Sequence, residues 1–128
     1  MKLTSTIARL LLGLIFTVFG LNGFLSFIPM GPMPTGHAGE YMGVMFVTHY
    51  LWFVSGTQLV VGLLLLANRF APLALVILAP VIVNIILFHA LMAPSGIPLA
   101  AVVTVLWVLT ALGYRPAFAG LLRSRPAA

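Results

Sequence analysis

The sequence predicts an all-α protein, an integral-membrane bundle of four helices running up and down. Three observations carry this. Of 128 residues, 62% are hydrophobic and 5% charged, too few polar groups to cover a soluble domain of this size. The apolar residues fall into four stretches, each close to the roughly 20 residues that cross about 30 Å of hydrocarbon. The charges are also sorted. Lys2 and Arg9 precede the first stretch, Arg69 separates the second from the third, Arg115, Arg123 and Arg125 follow the fourth, and the single acid, Glu40, lies between the first and second. The positive-inside bias then places both termini and the 2–3 connection in the cytoplasm.

Span one is expected from about Ile7 to Ile28. Gly13 and Gly20, seven apart, share a helix face with Gly23 close by, so a neighbouring helix can approach there. The basic start resembles a signal peptide, but the apolar run is long and no small-x-small cleavage pattern follows it, so it reads as a retained span. The segment from Pro29 to Gly36 cannot be regular helix. It is still apolar, which places it against the mouth of the bundle or the headgroups. Span two runs from about Met45 to Ala67, with an interfacial helical lead-in from near Ala38. Asn68-Arg69-Phe70-Ala71-Pro72 is a short turn, and Pro72 suits the first turn of span three, where a missing N–H costs nothing. Span three runs to about Ala93 with Pro80 inside it. Pro94-Ser95-Gly96-Ile97-Pro98 breaks the helix, and span four runs from about Pro98 to Tyr114. The tail has the apolar residues Phe118, Leu121 and Leu122 for a short surface helix. Short turns after spans two and three make antiparallel neighbours. These four spans make the chain, 1–128, one membrane domain.

The net charge of +5 is a topology signal. The cations stand at helix ends beside headgroups, not along one groove, which argues against nucleic acid as a partner and for the lipid bilayer. With no cysteine, disulfide exchange and thiolate metal sites are excluded. No metal site is expected, and no residue is assigned a catalytic role.

Polar residues within spans mark protein-facing or cavity-facing positions, because lipid cannot satisfy them. At about 1.5 Å per residue, Gln58 falls near mid-membrane, Asn84 slightly outside it, and Asn22, His49 and His89 roughly 22–27 Å from the inner boundary. An outward-opening polar pocket among spans one to three is the resulting expectation. Thr48, Ser55, Gln58 and Gly62 form an inward stripe, whereas His49 points about 180° from Gln58. Asn84 and His89 diverge by about 140° and meet only at the pocket's edges. Asn84, four after Pro80, is also placed to compensate the backbone carbonyl that the proline frees. The competing reading makes Asn22, Gln58 and Asn84 interhelical hydrogen-bond glue and His49 an interface residue beside Tyr50 and Trp52.

Asn68-Arg69-Phe70-Ala71-Pro72-Leu73-Ala74-Leu75, followed by Ala79-Pro80-Val81-Ile82-Val83-Asn84-Ile85-Ile86-Leu87-Phe88-His89-Ala90, resembles the DoxX-like membrane proteins. Arg9-Leu10-Leu11-Leu12-Gly13-Leu14-Ile15-Phe16, Gly20-Leu21-Asn22-Gly23 and Gly56-Thr57-Gln58-Leu59-Val60-Val61-Gly62 extend the resemblance over nearly the whole chain. It implies a four-span protein of the bacterial inner membrane, with some relatives linked to quinone-dependent sulfur oxidation or membrane oxidoreductase complexes. Members often carry Glu where this chain has Gln58. An amide cannot titrate, so a proton-transfer role does not carry over.

The function expected is a membrane subunit with a lipophilic pocket of the quinone type serving a membrane or peripheral redox protein. A quinone needs an apolar slot and a few polar groups at its carbonyls. Asn22, Gln58, Asn84 and His89 would supply these, with Phe88 and Trp107 flanking the ring. The alternative is a packing or assembly protein with no ligand, and a homo-oligomer built on the glycine faces is compatible with either. Proton-coupled transport lacks an embedded carboxylate. Haem held between His49 and His89 would need helical facings that converge.

Overall fold

The computed structural model describes residues 2–29 and 31–125. Met30 of the proline-rich segment and the end of the tail, 126–128, lie outside the described residues. The chain forms helices α1 (Lys2–Leu25), α2 (Gly36–Val47), α3 (Tyr50–Ala67), α4 (Ala71–Leu91), α5 (Ile97–Leu112) and α6 (Arg115–Ala119), with short 3₁₀ turns at Pro94–Gly96 and Gly120–Leu122. Four segments are long and apolar enough to cross a membrane: α1, α3, α4, and α5 together with its leading 3₁₀ turn. The protein is an all-α membrane helical bundle.

The spanning helices close a ring in which α1 packs on α3 and α5, and α4 packs on the other sides of both. Contacts at one end show the alternating directions. The Ser5 hydroxyl donates to the Thr110 carbonyl at 3.2 Å, Arg9 reaches the end of α3, and the Tyr114 hydroxyl donates to Asn68 Oδ1 at 2.5 Å. The start of α1, the α3–α4 turn and the end of α5 therefore meet at one end, and Lys2, Arg9, Arg69 and Arg115 gather there. The opposite end is roofed by residues 26–29 and 31–34 together with α2.

The close α1–α3 seam follows from glycine. A Cβ on Gly20 would stand 2.6 Å from the Leu59 backbone nitrogen, and one on Gly62 would stand 2.5 Å from the Thr17 nitrogen. Main chain thus meets main chain, and dispersion replaces a hydrophobic drive that lipid does not supply. The glycine face is used inside the monomer, so it is not free to build an oligomer. The densest packing lies toward the basic end, where Leu12, Leu65, Leu75 and Leu78 are fully buried in one cluster with Ala71 and Ala74.

Three features depart from expectation. Helix in α1 begins at Lys2, not near Ile7, and stops at Leu25. Span two does not begin at Met45: α2 ends at Val47 and α3 starts at Tyr50. Between them His49 sits in the left-handed region at φ 62°, with its ring stacked on Trp52 at 4.5 Å. Neither glycine nor proline marks this break; the Thr48 hydroxyl bonds back to the Val44 carbonyl at 2.6 Å and closes α2 locally. Arg9 is the third. Its side chain is buried, with Nη1 donating to the Leu65 carbonyl and lying 3.4 Å from that of Leu66. It therefore caps the C-terminus of α3, where the last carbonyls and the helix dipole favour a cation, in place of a headgroup contact.

Candidate functional site: a roofed apolar cavity

A cavity of about 700 Å³ occupies the half of the bundle away from the basic end. Phe16 and Val103 form part of its lining where the dense core begins. Its walls come from Phe19, Val54, Ile85 and Leu99 of the four spanning helices, and its roof from Pro32, Met33 and Pro34 with Met42 and Phe46 of α2. The roof is held by close contact: the Pro34 carbonyl lies against Gly39, where a Cβ could not fit. Tyr41 of α2 also packs on Phe88 of α4, ring centroids 5.5 Å apart.

The lining is mostly apolar and includes four of the expected ligand residues: the aromatic Phe88 and the polar Asn22, Gln58 and His89. Asn22 is 9% exposed, and its Oδ1 accepts the Ile28 backbone N–H at 2.8 Å. An N–H pairs only with the amide oxygen, so the NH₂ is the end left for another partner. That bond also turns the chain back after α1, where Ser26 takes a left-handed φ of 49°, and Pro32, Met33 and Pro34 lie across the mouth. His89 Nδ1 lies 3.1 Å from the Ala93 carbonyl. A carbonyl cannot donate, so neutral His89 carries its proton on Nδ1 and leaves Nε2 as an acceptor. Gln58 is half-buried and lines the cavity with both an acceptor and donors. The residues lining the cavity thus include an amide whose NH₂ is not engaged by Ile28, an imidazole with an acceptor nitrogen and an amide of both kinds.

Asn84 and Trp107 are corrections. Asn84 is exposed on the outer surface of α4 and is not part of the cavity wall. The 140° divergence from His89 decides it: with His89 turned inward, Asn84 turns out. Trp107 is half-buried away from the cavity, and its Nε1 donates to the Leu75 carbonyl at 3.0 Å. This pins α5 to α4 one residue from Val76, whose carbonyl Pro80 leaves without its helical donor. His49 stacks on Trp52 at the exposed rim and does not line the cavity, so the two histidines considered as axial ligands do not face one another across it. Glu40 pairs with His37 at 3.0 Å on the open surface of α2. Among the described residues, no three His, Asp or Glu side chains are grouped to hold a metal ion.

Ser55, a member of the inward stripe but not of the expected ligand residues, also lines the cavity. It is 3% exposed and packs against Gly23, with no room for a Cβ there. The signal was present in the sequence, since Ser55 lies three residues before Gln58 on one helix face. Phe19, Met42 and Phe46 carried no such signal, because one apolar side chain among many does not announce a cavity.

No family model, curated protein or solved structure matches this chain.

Proposed function

We propose that the protein is a DoxX-like subunit of the bacterial inner membrane that holds a lipophilic ligand of the quinone type for a redox partner, with its basic end in the cytoplasm. The observation that carries this is the cavity itself: about 700 Å³ of apolar space with few polar groups on its wall. That size falls in the range of small-molecule sites, and the pattern of apolar wall and sparse polar anchors is theirs. The polar groups suit both forms of a quinone couple. The Asn22 NH₂ and the Gln58 amide can donate to a carbonyl, and His89 Nε2 and the Gln58 oxygen can accept from a hydroxyl. When bound, such a ligand would supply two-electron chemistry with protons, and this chain's residues would orient its ring and keep water from it. Cation sorting supports the orientation, and the resemblance around Pro80 to His89 supports the family and the membrane.

The test is a thermal melt of the purified protein in bilayer discs with short-tailed ubiquinone and menaquinone added separately. A ligand present at about 100 times its Kd stabilises by about 2.7 kcal/mol, which is readable as a rise in midpoint. The reading expects a rise with at least one quinone, and loss of that rise in Gln58→Leu. No rise with either, or the same rise in the variant, would overturn it.

One observation favours a second reading, a packing or assembly protein without ligand. Asn22 and His89 each have a polar atom engaged in closing a helix end, so both have a structural task that needs no ligand. Under that reading Gln58→Leu would leave cellular function intact.

A further inference from the structure

Asn84 is an exposed carboxamide on a face that looks into hydrocarbon. It lies 13 residues after Ala71, the first residue of α4, hence about 20 Å up the helix and about 10 Å below its far end at Leu91. The side-chain hydrogen bonds of α4 involve His89 and the Leu75 carbonyl, and Asn84 takes part in neither. Lipid tails offer an amide no partner, so polar side chains at this depth are satisfied by protein or by water in a cavity. The nearest cavity is on the other side of α4.

The surroundings of Asn84 have a period. Leu73, Ile77, Pro80, Asn84, Leu87 and Leu91 follow one another at alternating steps of four and three, and every one of them is exposed. A 3.5-residue repeat keeps one seam facing a parallel partner helix, and a single asparagine within such a seam sets register. We infer that α4 is the contact face of a homodimer, in which Asn84 hydrogen-bonds Asn84 of a second copy. The choice of a second copy follows from symmetry. Two copies inserted with the same orientation are related by an axis along the membrane normal, which sets each residue opposite its counterpart at the same depth. The carboxamide is self-complementary, with an acceptor and two donors, so each copy supplies the group the other lacks. The glycine seam cannot play this role, because α1 and α3 already occupy it.

The absence of cysteine makes the test direct. Full-length protein carrying Leu87→Cys is reconstituted in phosphatidylethanolamine–phosphatidylglycerol vesicles at low protein-to-lipid ratio and mildly oxidised. The control is Leu14→Cys, exposed on α1, which packs on α3 and α5 and stands across the ring from α4. A disulfide requires Cα atoms within about 7 Å, so the α4 variant should form a covalent dimer and the α1 variant should not. Separately, energy transfer between labelled copies gives the dimer dissociation constant. Asn84→Leu should raise it about tenfold, as expected for loss of interhelical hydrogen bonding of roughly 1–2 kcal/mol, while Asn84→Gln retains most of the association. The thermal midpoint of the diluted Asn84→Leu monomer should not fall, which separates lost association from lost folding. Equal cross-linking at both cysteines, monomers at every ratio, an unchanged constant in Asn84→Leu, or a different protein found bound over this face would each overturn the inference. Quinone binding is read in the cavity on the other side of α4, so the two proposals stand or fall separately.

Discussion

The two ends of the bundle are built to opposite rules. At the basic end, leucines and alanines interlock with almost no exposed surface, Arg9 closes α3, Ser5 ties α1 to α5, and Tyr114 ties the end of α5 to the α3–α4 turn. At the roofed end the same helices separate around about 700 Å³ of space, bridged by non-helical chain and a surface helix. A single set of four rods thus carries a rigid foot and an open head. The difference shows where stability and binding reside: packing density makes the foot costly to disturb, and its absence makes the head available to a ligand.

The most damaging way to break the comparison is to hollow the foot. Leu75→Ala should cost about 3 kcal/mol, within the 2–5 range for fully buried leucines. Leu99→Ala, on the cavity wall and 44% exposed, should cost under about 1 kcal/mol. Denaturation in mixed micelles measures both, and equal losses would mean that the cavity is collapsed in the membrane. Gly62→Ala comes next. Its added methyl would meet the Thr17 main chain, and prising α1 from α3 should cost about 1–3 kcal/mol in the same assay.

Arg9→Met tests whether the buried guanidinium acts as a cap or only as an orienting charge. Removing a charged donor from the α3 carbonyls should cost about 1.5–3 kcal/mol, with topology preserved by the remaining cations. A reporter fused after Ala128 would detect inversion, and inversion without destabilisation would assign Arg9 to orientation alone. The smallest effect sharpens the contrast at the open end. Gln58→Leu should change stability by no more than about 1 kcal/mol while abolishing the quinone-induced rise in midpoint.

Reading polar residues by depth brought Asn22, Gln58 and His89 toward one half of the bundle, and the structure places all three on the same cavity wall. Asn84, at a similar depth, and Trp107, expected to flank a bound ring, are elsewhere. In a soluble helix the polar face shows which side is out. In α4 the inside and outside are both Leu, Ile and Val, so the direction in which Asn84 points depends on how the helix is rotated against α3 and α5. The break at Thr48-His49 was hidden for a related reason: no breaker residue stands there, and a left-handed histidine is held by its stack on Trp52.

The sequence by itself determined the fold class and the gathering of cations at one end of four apolar rods, because a bilayer screens for length, hydrophobicity and charge, all of which are local properties. It also determined that glycines would mark a close helix contact. Only the tertiary structure decided that this contact is internal, that Arg9 turns inward, that Asn84 turns outward and that a roofed cavity remains. Those outcomes depend on the rotation and spacing of neighbouring helices, which are set by the sum of many small packing contacts and are written in no single stretch of the chain.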